Sequence, residues 1–252
     1  MVTIAHPVVL LPGIIAPVAV RYGALVEHLS DATVVLRELA VYATDAPPPD
    51  YTITTELDAL DAAADAAGLD RFHVYAHSGG GAVALAYAAA RGDRLVSLAV
   101  DEPASDFTPD GHAEAGWYEW DATSSLAPEQ STRAFLQLQV AADVVLPDPP
   151  PGPPPPWMAL RHAGIQAFTG AIRTYHVAPA EYAAFGAPVY FSRGSRTHPR
   201  WAQMQNRLAA LFPDFTGEVY EGLHHLNTSH MAEPARVAAT LTRFWERSER
   251  AR

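Results

Sequence analysis

The chain has 252 residues, of which 49% are hydrophobic, and its formal net charge is −11. This length and composition suffice for one large domain with an insertion and a substantial core. Every basic residue is an arginine, and no basic run could follow a phosphate backbone, so we expect no nucleic-acid partner. The chain has no cysteine, which excludes disulfides, thiolate catalysis and cysteine-ligated zinc.

The apolar start of the chain, residues 7–20, does not have the composition of a signal peptide. It lacks a basic n-region, and Pro7, Pro12 and Pro17 interrupt it. No other run is long or apolar enough to span a membrane. The sequence therefore predicts a soluble, cytoplasmic protein without a membrane partner.

Strand-like and helix-like segments alternate along most of the chain. Short apolar runs typical of strands occupy residues 7–11, 32–36, 72–75, 95–100, 188–191 and 217–220. Apolar residues at helical spacing occupy residues 22–29, 57–69, 82–90, 201–211 and 233–247. This alternation predicts an α/β fold, with a mostly parallel, doubly wound sheet covered by helices on both faces. Sites in such sheets lie beyond the carboxyl ends of the strands.

The alternation stops between residues 106 and 186, where tryptophan, proline and glutamine become frequent. Residues 145–156 are extremely rich in proline and predict a stiff extended link between two helical parts. We therefore divide the chain into a core domain, residues 1–105 and 187–252, and an insertion, residues 106–186. The aromatic residues of the insertion either line an apolar pocket or form a small core of its own: Trp117, Trp120, Trp157, Phe168 and Tyr175.

Residues 72–86 carry the most informative motif. An apolar strand, an abrupt turn of small residues and an alanine-rich helix follow one another, and Ser78 stands at the turn in the frame Ala76-His77-Ser78-Gly79-Gly80. A serine nucleophile must be held exposed beside a base, and small residues two positions before and after it let strand and helix approach. A glycine-rich turn with a serine by chance is the alternative. The segment resembles the nucleophile elbow of the α/β-hydrolase family, usually written G-x-S-x-G, with Ala76 in place of the first glycine.

The resemblance implies further parts of a site. The amide of Gly79, at the start of the helix, would donate a hydrogen bond to a developing oxyanion. The loop after the first strand supplies the second amide in the family, which here falls on Ile14, with Ile15 behind it. The family also places a cap where the insertion lies, so the insertion would form a lid.

The base of this family is a histidine in the loop after the last strand. Here the loop contains His224 and His225, and the family spelling Gly-x-x-His, counted from Gly222, favours His225 over His224. These two residues and His230 could also form a metal cluster. No carboxylate or thiolate set with ligand spacing accompanies them, so we predict no metal.

The acid of the family usually follows the next-to-last strand in a Gly-x-x-Asp frame, and that frame ends here in Thr197. Some relatives carry the acid at the end of an earlier strand, where this chain has Asp101 and Glu102. Adjacent strand residues point to opposite faces, so at most one of them reaches the histidine. Its place before Pro103 favours Glu102, with Asp101 as the second candidate. A strand-end carboxylate in a salt bridge is the alternative.

Together these residues predict a serine hydrolase of carboxylesterase type without a cofactor. Ser78 would attack an ester, lactone or thioester of a small apolar substrate, His225 would accept its proton, and Glu102 would orient His225. Two other classes stay open. One is a ligand-binding or receptor-like protein of the same fold, since Thr197 and Pro12 depart from the family pattern. The other is a biosynthetic enzyme for acyl transfer or cyclisation. A homodimer is compatible with each of them.

Overall fold

A computed structural model of the chain describes residues 6–104, 126–148 and 151–251. Its centre is a six-stranded sheet in which every pair of neighbouring strands is parallel, in the order β2-β1-β3-β4-β5-β6. The strands are β1 (Pro7–Leu11), β2 (Thr33–Leu36), β3 (Phe72–His77), β4 (Leu95–Asp101), β5 (Val189–Gly194) and β6 (Phe215–Tyr220). Every residue of β3 and β4 is buried, as expected for central parallel strands covered on both faces.

The helices connect the strands and cover the sheet. They are α1 (Val18–Val26), α2 (Ile53–Ala66), α3 (Ser78–Arg91), α4 (Pro128–Gln137), α5 (Arg161–Thr174), α6 (Pro179–Ala183), α7 (Arg200–Leu211), α8 (Ser229–Ala232) and α9 (Pro234–Arg250). The predicted α/β class and doubly wound sheet are therefore confirmed. None of the described helices is long and apolar enough to cross a membrane.

Three helices begin earlier than the sequence pattern predicts. Helix α1 begins at Val18 rather than Tyr22, because the carboxylate of Glu38, beyond the next strand, accepts the Val18 N–H at 2.9 Å. Helix α2 begins after Thr52, whose side chain caps its first turn. Helix α3 begins at Ser78 itself, because its first glycines are held by packing rather than by helix propensity.

The buried side chains form two clusters, one on each face of the sheet. Helices α1 and α9 supply Tyr22, Leu241 and Trp245 to one of them. The larger cluster contains α2, α3 and α7 and also Phe135, Ile165 and Phe168 from the insertion. The described helices of the insertion thus pack into the main core, and Phe168 does not belong to a separate small core. Trp117 and Trp120 lie outside the described residues.

Candidate active site

The turn between β3 and α3 presents Ser78 in a strained conformation. Its φ is 50°, in the left-handed region that is costly for a side chain with a Cβ. A Cβ on Gly80 would overlap the carbonyl oxygens of Leu11 and Pro12, so glycine is required for this close approach of α3 to β1. The Gly80 N–H donates to the Pro12 carbonyl at 3.0 Å and fixes the turn. The spacing of small residues in the motif therefore has a direct steric cause.

The neighbouring strand makes a similar turn. His77 and Asp101 are partners in the register of β3 and β4, and each is followed by a residue with positive φ. These residues are Ser78 and Glu102, whose φ is 46°. The Ala104 N–H donates to the Ser78 carbonyl at 2.7 Å and joins the two turns. The fold thus places a hydroxyl and a carboxylate side by side at the carboxyl edge of the sheet, as expected for parallel α/β sheets.

His225 bridges these two groups. Its Nε2 lies 2.9 Å from Ser78 Oγ, and its Nδ1 lies 2.7 Å from Glu102 Oε2. A proton on Nδ1 directed at the carboxylate leaves the Nε2 lone pair facing the hydroxyl. Ser78 is 9% exposed, and the other two residues are more deeply buried. The arrangement can transfer a proton from the hydroxyl to the imidazole and stabilise the imidazolium that results.

Glu102 receives hydrogen bonds from three donors. Besides His225, the Gly194 N–H donates to its Oε1 at 2.7 Å, and the Thr197 hydroxyl donates to its Oε2 at 3.1 Å. Burial, followed by the charge of Asp101, raises the pKa of Glu102 well above its usual value, and the bonds from Gly194 and Thr197 oppose this rise. Thr197, in the frame where an aspartate was expected, thus supports a carboxylate that comes from β4.

The imidazole of His225 contacts two other rings. Trp201 stacks on it, with ring centroids 4.5 Å apart, and the tilted ring of His77 lies at a centroid distance of 4.7 Å. The Trp201 N–H donates to the Pro103 carbonyl at 3.1 Å, which anchors the indole. Burial lowers the pKa of His225 well below its usual value, and the positive charges of Arg21 and Arg200 lower it further. This shift favours the neutral imidazole, the form in which His225 can accept a proton.

The two alternative residues lie outside this arrangement. The Asp101 carboxylate contacts Ser192 Oγ at 2.7 Å and His230 Nδ1 at 3.0 Å, and it does not contact His225. His224 is half-buried, and its N–H donates to the side chain of Asn227. Asp101 is thus directed toward His230, and His224 toward Asn227, rather than toward Ser78.

The two amides expected to face an oxyanion belong to neighbouring segments, Ile14 to the loop after β1 and Gly79 to the start of α3. Gly79 is in the first turn of α3, where N–H groups have no acceptor within the helix. A Cβ on Gly79 would overlap the Ile14 side chain and would lie 3.2 Å from the ring of Phe168 on α5. The loop of Ile14, the elbow and a helix of the insertion therefore meet at Ser78.

Two side chains that sequence reasoning missed hold the Ile14 loop. The Tyr42 hydroxyl donates to the Ile14 carbonyl at 2.6 Å, and Arg161 Nη1 lies 3.5 Å from the same oxygen. The Arg161 guanidinium also lies 3.9 Å from the Tyr42 ring centroid. No motif marks Tyr42 or Arg161, and they are far from Ile14 in the chain. Trp201 and His77 were missed in the same way, although His77 is part of the elbow frame.

Three residues around Ser78 could also be considered as metal ligands. His77, Glu102 and His225 place one potential ligand atom each within 4.8 Å of one another. Both ring nitrogens of His225 are already engaged by Ser78 and Glu102, so this donor set fits proton transfer better than metal binding.

Comparison with known proteins gives a consistent family assignment. The sequence model of the alpha/beta hydrolase family matches residues 8–240. A search of curated protein sequences found no match. Among solved structures, a carboxylesterase structure from the thaumarchaeon Nitrososphaera gargenis superposes with a TM-score of 0.74 at 17% identity, over 98% of this chain and 92% of the other.

Two further structures show the same fold. MenH from S. aureus superposes with a TM-score of 0.73 at 15% identity, covering 97% of this chain and 94% of that chain. The naproxen esterase of Bacillus subtilis superposes with a TM-score of 0.67 at 20% identity, covering 96% and 84%. The family match extends over both the elbow and the histidine loop, and the chain belongs to the alpha/beta hydrolase family.

Proposed function

We propose that the protein is a serine hydrolase that cleaves an ester-like bond of a small apolar molecule through an acyl-enzyme on Ser78. The observation that carries the proposal is the continuous hydrogen-bonded chain from Ser78 Oγ through His225 to Glu102. Family membership supports a hydrolase, and the esterases among the structural neighbours support ester chemistry.

The reaction begins with the attack of Ser78 Oγ on the substrate carbonyl carbon, while His225 Nε2 accepts the hydroxyl proton. The carbonyl oxygen becomes an oxyanion, to which the Gly79 and Ile14 amides donate. His225 then returns the proton to the leaving alcohol or thiol, and the acyl group stays on Ser78. Water attacks the acyl-enzyme while His225 accepts one of its protons, and His225 then returns that proton to Ser78 Oγ as the bond to the acyl group breaks and the acid leaves. The Glu102 carboxylate, which accepts hydrogen bonds from the Gly194 N–H and the Thr197 hydroxyl, stabilises the imidazolium in both halves of the reaction.

The apolar substrate is inferred from what surrounds the nucleophile. The Phe168 ring and the Ile14 side chain are the groups that a Cβ on Gly79 would meet. Both are apolar, and both come from segments that cover the elbow. An uncharged acyl group would contact such walls without losing hydrogen bonds to water.

The ligand-binding alternative was based on two departures from the family pattern, Thr197 and Pro12, and the contacts of Thr197 weaken it. It depended on Thr197 at the usual position of the acid, and Thr197 now has a hydrogen bond to Glu102. Pro12 remains, but its carbonyl accepts the Gly80 N–H and so contributes to the elbow.

The proposal is tested by measuring intact mass after exposure to a small fluorophosphonate. We expect one adduct on the wild-type protein and none on Ser78→Ala. Ser97→Ala is the matched control, because Ser97 is a buried serine on β4 that contacts His73 and lies away from the elbow. A set of esters, lactones and thioesters of increasing acyl length then identifies the bond. A folded wild-type protein without an adduct would contradict the proposal, and a product without net addition of water would indicate acyl transfer.

A further inference from the structure

A second cluster of histidine and carboxylate side chains lies at the opposite edge of the sheet. His6 directly precedes β1, His73 is the second residue of β3, and Glu249 is in the last turn of α9. His73 and Ser78 are five residues apart along an extended strand, which separates the cluster from Ser78 by about 16 Å. The cluster therefore takes no part in the proposed reaction.

Three potential ligand atoms converge in this cluster. Glu249 Oε1 lies 2.9 Å from His6 Nδ1 and 3.2 Å from His73 Nε2, and all three atoms lie within 4.8 Å of one another. In a tetrahedral zinc site with bonds of 2.0–2.1 Å, neighbouring ligand atoms are about 3.3 Å apart. The observed separations are close to those that a bound cation would impose. Imidazole and carboxylate together suit a transition-metal ion.

The residues around His73 orient its Nε2 toward Glu249 and the point where a cation would lie. Its Nδ1 lies 2.8 Å from the hydroxyl of Ser97, a fully buried residue on β4. A hydrogen bond at one ring nitrogen that fixes the direction of the other is the usual support of a metal-bound histidine. Trp245 packs beside both rings, with centroids 5.5 Å from His73 and 6.0 Å from His6.

The charge of Glu249 is not shared with its arginine neighbours on α9. Arg247 pairs with Asp214, and Arg250 pairs with Glu246. The contacts that the described structure gives the Glu249 carboxylate are those to the two histidines. A cation bound among them would be held by one negative charge and two neutral donors.

We propose that His6, His73 and Glu249 form a binding site for a divalent transition-metal ion of the zinc class, with water as a further ligand. The bound ion would link the start of β1, the central strand β3 and the end of α9. It would stabilise the fold by binding only the folded chain, which alone brings these residues together.

The test uses the full chain, stripped of metal and titrated with Zn²⁺ and separately with Co²⁺. We expect one equivalent of Co²⁺ to give an intense visible absorption typical of low coordination number. Saturating Zn²⁺ should raise the melting temperature by about 5 °C. His6→Ala and Glu249→Gln should lose both effects. Glu246→Gln, on the same helix, and His28→Ala, on the surface, should keep them.

One further variant separates this site from the histidines near Ser78. His225→Gln should retain the Co²⁺ spectrum and the thermal shift. The proposal is overturned if the metal-stripped wild-type protein shows neither effect, since the cluster is then a hydrogen-bonded network only. It is also overturned if Glu249→Gln keeps both effects, or if His225→Gln abolishes them.

Discussion

Among the hydrogen-bonded networks of carboxylate, imidazole and hydroxyl in the described residues, two begin at the adjacent residues Glu102 and Asp101. Glu102 contacts His225 Nδ1, and the Nε2 of that ring contacts the Ser78 hydroxyl at 2.9 Å. Asp101 contacts His230 Nδ1, and the Nε2 of that ring contacts the Thr228 hydroxyl, also at 2.9 Å. By hydrogen-bonding pattern alone the two chains are nearly equivalent.

Their surroundings distinguish them. Ser78 stands on a strained turn at the start of α3, and it is the least buried of the three residues Ser78, His225 and Glu102. Thr228 precedes His230 by two residues, is 2% exposed and opens the short helix α8. A hydroxyl beside an imidazole becomes a useful nucleophile only where a substrate can reach it and an oxyanion is stabilised. The comparison teaches that Ser78 is favoured over Thr228 as the proposed nucleophile by the elbow, and not by the hydrogen-bond pattern.

The strongest test replaces each carboxylate with an uncharged amide. Glu102→Gln should lower turnover of an ester substrate about ten-thousandfold, because the imidazolium of His225 loses its counter-charge and its tautomer is disturbed. Asp101→Asn should change turnover less than tenfold, because its partner His230 does not contact Ser78. Steady-state kinetics of both variants at one pH measures the difference. Equal losses of turnover in the two variants would mean that both hydrogen-bonded networks contribute to catalysis.

The second test concerns stability. The buried Asp101 carboxylate accepts a hydrogen bond from Ser192 Oγ at 2.7 Å and contacts His230 Nδ1 at 3.0 Å. Asp101→Asn removes the negative charge from both contacts and weakens them. We expect the free energy of unfolding to fall by about 3 kcal/mol, measured by urea denaturation with circular dichroism. An unchanged urea midpoint would show that the Asp101 chain contributes nothing to stability.

Sequence reasoning reached the elbow and both carboxylates for physical reasons that the structure makes visible. The small residues around Ser78 are required by the contact of α3 with β1, and such a contact leaves a local pattern in the sequence. The separation of Asp101 from Glu102 was expected from the alternation of side chains along a strand, whereas the structure has Asp101 at the end of β4 and Glu102 in a turn with a φ of 46°.

Other features left no local pattern. The ring contacts of His225 involve residues 77 and 201, which are distant from it in the chain. The start of α1 depends on the carboxylate of Glu38. Thr197 occupied a known frame, but its partner, Glu102, lies 95 residues earlier in the chain. These contacts depend on the order of the strands in the sheet. The sequence pattern predicts the strands but does not determine that order. The site was therefore predictable where it is local and unpredictable where distant segments meet.

The pH dependence of catalysis should report the protonation of His225 and not that of His230. His225 acts as a base only when neutral, and burial lowers its pKa well below its usual value. With an uncharged substrate, kcat/KM should stay constant from pH 8 down to 6.5 and fall below that value, eventually tenfold per pH unit. His230→Gln should leave this profile within about half a pH unit of its position. An acid limb centred at or above pH 6.5 would contradict the assignment of His225.

The smallest expected effect comes from a matched pair of hydroxyl deletions, one in each chain. Thr197→Val removes a donor to the Glu102 carboxylate, and a hydrogen bond to a charged group contributes about 1.5 to 3 kcal/mol, so kcat should fall about ten- to a hundredfold. Thr228→Val removes the partner of His230 Nε2 and should leave kcat within about twofold. KM should change little in either variant, since neither hydroxyl contacts the apolar groups around Ser78. If Thr228→Val lowers kcat as much as Thr197→Val, the second chain also supports the base, through the His77 ring between His225 and His230.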